Sequence, residues 1–146
     1  MIAGLLAACG SGSATKSLTK ADFIAQADGI CTKYEESASR ASRSLKPPDV
    51  DRRIAVVQDH LVPLLERRNT QLAQLTPPAG DRATIAQFIA DLEAATNAIA
   101  RDPAGFVAAH GTTPFDRKAA AEAAAYGFTV CARTSPGCSD PARAVK

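Results

Sequence analysis

Residues 18–45, LTKADFIAQADGICTKYEESASRASRSL, decide the fold class. Thr19 is a good N-cap for a helix starting at Lys20. Asp22 stands at the third helical position, and Leu18 with Phe23 makes a hydrophobic staple. Phe23, Ala27, Ile30, Tyr34, Ala38, Ala41 and Leu45 recur in steps of three and four, the stripe of a half-buried helix over about Lys20–Ser44. Pro47-Pro48 ends it.

The same rhythm continues downstream. A second helix over about Val50–Leu75, capped by Asp49, carries Val50, Ile54, Val57, Leu61, Leu64, Leu72 and Leu75, with an interruption at Arg68. Pro63 lies inside it. Its ring displaces the carbonyl of Asp59 and removes a donor, which predicts a bend near His60. Thr76-Pro77-Pro78-Ala79-Gly80 is a turn. A third helix, capped by Asp81, reaches about Arg101 on the stripe Ile85, Phe88, Leu92, Ala95 and Ile99. Asp102-Pro103 opens a short helix to about His110, stopped by Gly111. The last long helix starts at Pro114 behind Thr113, with Asp116 completing a pair like a capping box. Phe115, Ala119, Ala123, Tyr126 and Val130 form its stripe, and its end is expected near Ala132 or Arg133. The prediction is an all-α protein, an up-down four-helix bundle with a short extra helix before the fourth and an irregular C-terminal tail.

Composition agrees with thin, tight helix contacts. Five Phe, two Tyr and no Trp leave a core short of large side chains, and alanine is abundant. The net charge of +2 comes from acids and bases interleaved along the chain, with no basic stripe for nucleic acid and no polybasic block for lipid head groups.

The start of the chain carries a location signal. Leu6-Ala7-Ala8-Cys9 reads as a lipobox, with small residues before a cysteine whose sulfur accepts lipid, followed by the flexible Gly10-Ser11-Gly12-Ser13. The stretch before Cys9 carries no Lys or Arg and is too short to span a bilayer, as a truncated signal peptide would be. The expected organisation is a truncated signal peptide (1–8), a lipidated cysteine and tether (9–18), the helical bundle (19–133) and the tail (134–146). The tether over Gly10–Leu18 reaches only about 17 Å, which places the domain close to the membrane.

Leu18-Thr19-Lys20-Ala21-Asp22-Phe23-Ile24-Ala25-Gln26-Ala27-Asp28-Gly29-Ile30-Cys31, together with Leu75-Thr76-Pro77-Pro78-Ala79 and Tyr126-Gly127-Phe128-Thr129-Val130-Cys131, resembles a group of small actinobacterial lipoproteins. The likeness spans most of the chain from Leu18 to Cys131. It implies an exported helical domain with one cysteine pair and carries no activity with it.

With Cys9 lipidated, Cys31, Cys131 and Cys138 remain, and outside the cytoplasm they tend to pair. Cys31–Cys131 is preferred. In an antiparallel helix pair that bridge sets Leu45 level with Arg117, Pro48 with Pro114 and Tyr34 with Phe128. The rival, Cys131–Cys138, closes a small Pro-Gly loop.

Catalytic and metal signals are weak. His60 and His110 are the only histidines, and neither follows a Glu at the spacing of a di-iron bundle. No Cys-x-x-Cys, Gly-x-Ser-x-Gly or glycine-rich phosphate loop occurs. Glu35-Glu36 point apart on a helix, and Asp49 is a cap. No enzyme activity, metal or cofactor is expected. Partners are expected to be the membrane, through the lipid anchor, and an envelope protein or hydrophobic ligand. Two roles follow: a non-catalytic binding module of the cell envelope, or a carrier with a pocket inside the bundle. In the register above the fourth helix stops level with Ile30. Phe23, Ile24, Ala27, Leu72, Leu75, Ile85 and Phe88 would then line an apolar groove at the membrane-facing end, open to a ligand or filled by the tail.

Overall fold

The computed structural model describes residues 18–43, 49–111 and 113–133, and these are all-helical with bundle-like packing. The lipobox, most of the tether, Leu45, Pro47-Pro48, Cys138 and the tail lie outside the described residues.

Helix α1 (Lys20–Arg43) starts as its sequence dictates: the Thr19 hydroxyl accepts the Asp22 N–H at 3.1 Å and donates to the Asp22 carboxylate at 2.6 Å. Leu18 packs against the same apolar cluster that buries Phe23, closing the staple. Ala27, Cys31 and Tyr34 follow Phe23 into the core, while Ile30 is half-buried.

The second predicted helix is not one regular element. It divides into α2 (Val50–Val56), a π-helical turn (Val57–Leu61) and α3 (Val62–Ala73). Asp49 caps α2 by accepting the Asp51 N–H at 2.9 Å. In the wide turn the Val62 N–H donates to the Val57 carbonyl, one residue further back than in an α-helix. Pro63, at the start of α3, lacks the donor and the clearance for a regular turn onto Asp59, so the expected bend takes the form of an inserted residue. That insertion moves the nearest buried positions on by one residue. The buried stripe runs Val57, Val62, Leu65, Arg68, Asn69 and Leu72, and the predicted Leu61 and Leu64 are half-buried flanks. Arg68 does not interrupt the core face; it is part of it, only 3% exposed.

A tight turn (Ala79–Asp81) leads into α4 (Arg82–Arg101), which buries all five predicted residues, Ile85, Phe88, Leu92, Ala95 and Ile99. Asp81 makes no side-chain cap, contrary to the sequence reading, because its carboxylate is engaged elsewhere. Asp102 caps α5 (Pro103–Ala108) through the Gly105 N–H at 2.8 Å, and His110 and Gly111, both at positive φ, end that segment. Helix α6 (Pro114–Tyr126) opens with a complete capping box between Thr113 and Asp116.

Helix α6 stops at Tyr126, short of the predicted Ala132 or Arg133. Gly127 takes φ 110°, the Phe128 N–H donates to the Ala123 carbonyl at 3.0 Å and the Gly127 N–H to the Ala124 carbonyl at 3.1 Å. This pairing is the Schellman termination, which a residue without Cβ adopts at low cost. The chain then turns back, and Phe128 is buried among Phe23, Phe88 and Tyr126.

Helix α1 packs on α3, α3 on α4 and α4 on α6. Asp81 meets Tyr126 and Asp91 meets Lys118, so α4 and α6 run antiparallel. One apolar cluster gathers Phe23, Leu72, Phe88 and Phe128; another gathers Tyr34, Leu65, Ile99 and Phe106. Tyr34 and Phe128 therefore sit in different clusters, and the register that set them level does not hold. A polar layer separates the clusters. Arg68 Nε and Nη2 donate to Asn69 Oδ1 at 3.1 and 2.9 Å, and Asn69 Nδ2 donates to Thr96 Oγ1 at 2.9 Å. The guanidinium lies 4.8 Å from the Tyr34 ring centroid, and burial pushes the Tyr34 phenol up to about 12.

Candidate functional site

Two features share the end of the molecule that holds the start of α1. The first is a clamp. Cys31 of α1 is bonded to Cys131, as preferred from the sequence, although Cys131 lies in the turn segment after α6 rather than on a helix. Three residues before Cys31, the Asp28 carboxylate accepts four hydrogen bonds from that same segment. Oδ2 takes the Thr129 N–H at 2.9 Å and its hydroxyl at 2.8 Å; Oδ1 takes the Val130 and Cys131 N–H groups, each at 2.9 Å. The backbone donors freed where the helix ends are thus paired with a charge. Burial by itself would raise the Asp28 carboxyl, but the bonds from Cys131, Thr129 and Val130 outweigh it and hold it below its ordinary value.

A carboxyl depressed in the folded state stabilises at pH above its unfolded value, and that contribution fades as pH falls through the folded value. Wild-type protein is therefore expected to lose more stability than Asp28→Asn between about pH 5 and pH 3. Urea unfolding of both chains across that window checks it; parallel curves would contradict the clamp.

The second feature is a cleft of about 470 Å³ between the start of α1, α4 and the end of α6. Ile85, Phe88, Tyr126 and Phe128 provide its apolar lining, and Lys20, Asp81, Thr84, Gln87 and Glu122 its polar groups. The Tyr126 hydroxyl donates to Asp81 Oδ2 at 2.6 Å, and Lys20 Nζ stands 4.2 Å from the Tyr126 ring centroid. Burial, then the Asp81 bond, pushes the Tyr126 phenol up. At the cleft's edge Lys118 Nζ bonds Asp91 at 2.7 Å and lies 3.6 Å from Glu122. Burial and the neighbouring Asp91 push the Glu122 carboxyl up. For Asp91, burial is outweighed by the Lys118 and Gln87 bonds, which hold its carboxyl below the ordinary value.

The residues predicted to line a groove do come together, but not around open space. Phe23, Ala27, Leu72, Ile85 and Phe88 are buried core, and Ile24 and Leu75 pack against them half-buried. Phe128 fills the level where the fourth helix was expected to be missing, because Gly127 turns the chain back at that point. Only Ile85 and Phe88 of the predicted set reach the cleft. Sequence reasoning missed Asp28, whose bonded partners lie 101 to 103 residues away, and Asp81, which it had spent as a helix cap. The Gly127-Phe128 pair carried a readable stop signal, a glycine followed by an apolar residue.

His60 lies exposed in the π-helical turn and His110 exposed after α5. Among the described residues no group of three or more His, Cys, Asp and Glu converges as metal ligands would, and no helix is long and apolar enough to cross a membrane. Comparison with protein families, with curated proteins and with solved structures finds no match to this chain.

Proposed function

We propose that the chain is a lipid-anchored lipoprotein on the extracytoplasmic face of the cell membrane, of the small actinobacterial type, and acts as a non-catalytic binding or interaction module in the envelope. The observation that carries this reading is the Cys31–Cys131 bridge. Structural disulfides persist outside the reducing cytosol, and a lipobox such as Leu6-Ala7-Ala8-Cys9 directs a chain there, out of the cytosol. The carboxylates support a binding rather than a catalytic role, since Asp28, Asp49, Asp102 and Asp116 serve as clamp and caps. The cleft is the binding site in this reading. Lys20, which lines it, lies two residues beyond the tether, so the cleft would stand within about 17 Å of the membrane surface.

One observation favours the alternative role of a small hydrophobic ligand carrier: a cleft of about 470 Å³ with aromatic walls falls in the size range of small-molecule sites.

The anchor is tested by Cys9→Ser. The variant is expected to leave the membrane fraction and to lose labelling by fatty acid, since acyl chains are the only attachment proposed. A variant that stays with membranes at the wild-type level, beside a wild type that carries no lipid, would end the proposal.

A further inference from the structure

We propose that the cleft between α4 and α6 binds a small soluble organic cation of the alkylated ammonium class. This rests on the cleft being the binding site and adds the chemistry of its ligand. Three observations converge. The chain already places a cation on the Tyr126 ring, since Lys20 Nζ stands 4.2 Å from its centroid. Aromatic faces attract ammonium groups through their quadrupole, and an exposed lysine on a flexible stem is an occupant that a ligand can replace. Next, Asp81 lies beside that ring and its bonded partner there is the neutral Tyr126 hydroxyl, so the bond leaves its negative charge in place. Finally, Glu122, the other acidic residue of the cleft, is engaged by Lys118 at 3.6 Å and by the neighbouring Asp91, so Asp81 is the carboxylate left to meet a cation. Asp81 thus faces the cleft against one lysine, Lys20. Phe88, Phe128 and Ile85 supply apolar walls for the alkyl groups that distinguish such a cation from a metal ion.

The experiment titrates the full-length oxidised chain with choline and with its neutral isostere 3,3-dimethylbutan-1-ol, following backbone amide shifts by NMR. Choline is expected to move Ala125, Tyr126 and Phe128 and to bind about tenfold tighter than the alcohol. Lys20→Ala removes the tethered competitor and is expected to tighten choline binding by about threefold or more. Asp81→Asn keeps an acceptor for the Tyr126 hydroxyl. It is expected to weaken choline while leaving the alcohol unchanged. Equal affinity for the two compounds would overturn the cation and leave the cleft as a binding site. No shift at the cleft with either would overturn the site as well. Attachment to phosphatidylcholine vesicles without binding of free choline would overturn a soluble ligand in favour of a lipid head group.

Discussion

Phe128→Ala is expected to destabilise the protein by about 3–5 kcal/mol, the loss typical of a buried aromatic truncated in a core. The ring is 4% exposed, with centroids 5.0 Å from Tyr126, 5.3 Å from Phe88 and 6.1 Å from Phe23. It holds these three rings together at the end of the molecule where α6 has already stopped. Its removal leaves a cavity on the wall of the cleft, so a hydrophobic probe dye should bind the variant and not the wild type. Denaturant unfolding and dye titration together check this. A loss below about 1 kcal/mol with no new dye binding would mean that the segment after α6 does not complete the core.

Cys31→Ala is expected to cost about 2–5 kcal/mol. The bridge joins residues separated by 100 positions, and closing a loop of that length is worth up to about 4.7 kcal/mol in the chain-entropy account. The four bonds to Asp28 remain in the variant, so the segment should stay docked near neutral pH and the native fold should persist. Thermal unfolding with and without reductant isolates the effect. Reductant should lower the wild-type midpoint toward that of the variant and leave the variant unmoved. A wild type indifferent to reductant that reaches its thiols would remove the bridge from the stability of the fold.

The helices were legible because apolar residues recur every three or four positions, and α4 buries the predicted set without exception. What failed was phase and termination. Pro63 announced an irregularity, but periodicity alone could not tell a kink from an inserted residue, and the insertion moved the core positions from Leu61 and Leu64 to Val62 and Leu65. Arg68 stood on the stripe from the start and was read as an interruption of it because it is charged. Helix α6 was read too long because alanines continue the rhythm toward Val130, which outweighed the stop at Gly127. That single error moved the fourth helix over the place where Phe128 sits and turned a filled core into an expected groove. The bridge itself was foreseen, whereas Asp28 gave no local signal, because its role is defined by partners at the far end of the chain. The cleft was half-visible. Ile85 and Phe88, expected in a groove at this end, reach the cleft, and the charged groups beside them had no signal in the sequence reading.

The central claim, an exported chain anchored by lipid on Cys9, meets its most direct test in mass spectrometry of protein recovered from the host's membranes. A tryptic digest is predicted to yield an acylated peptide that begins at Cys9 and ends at Lys16. A peptide that runs on through Ala8 toward Met1 with Cys9 unmodified would contradict it.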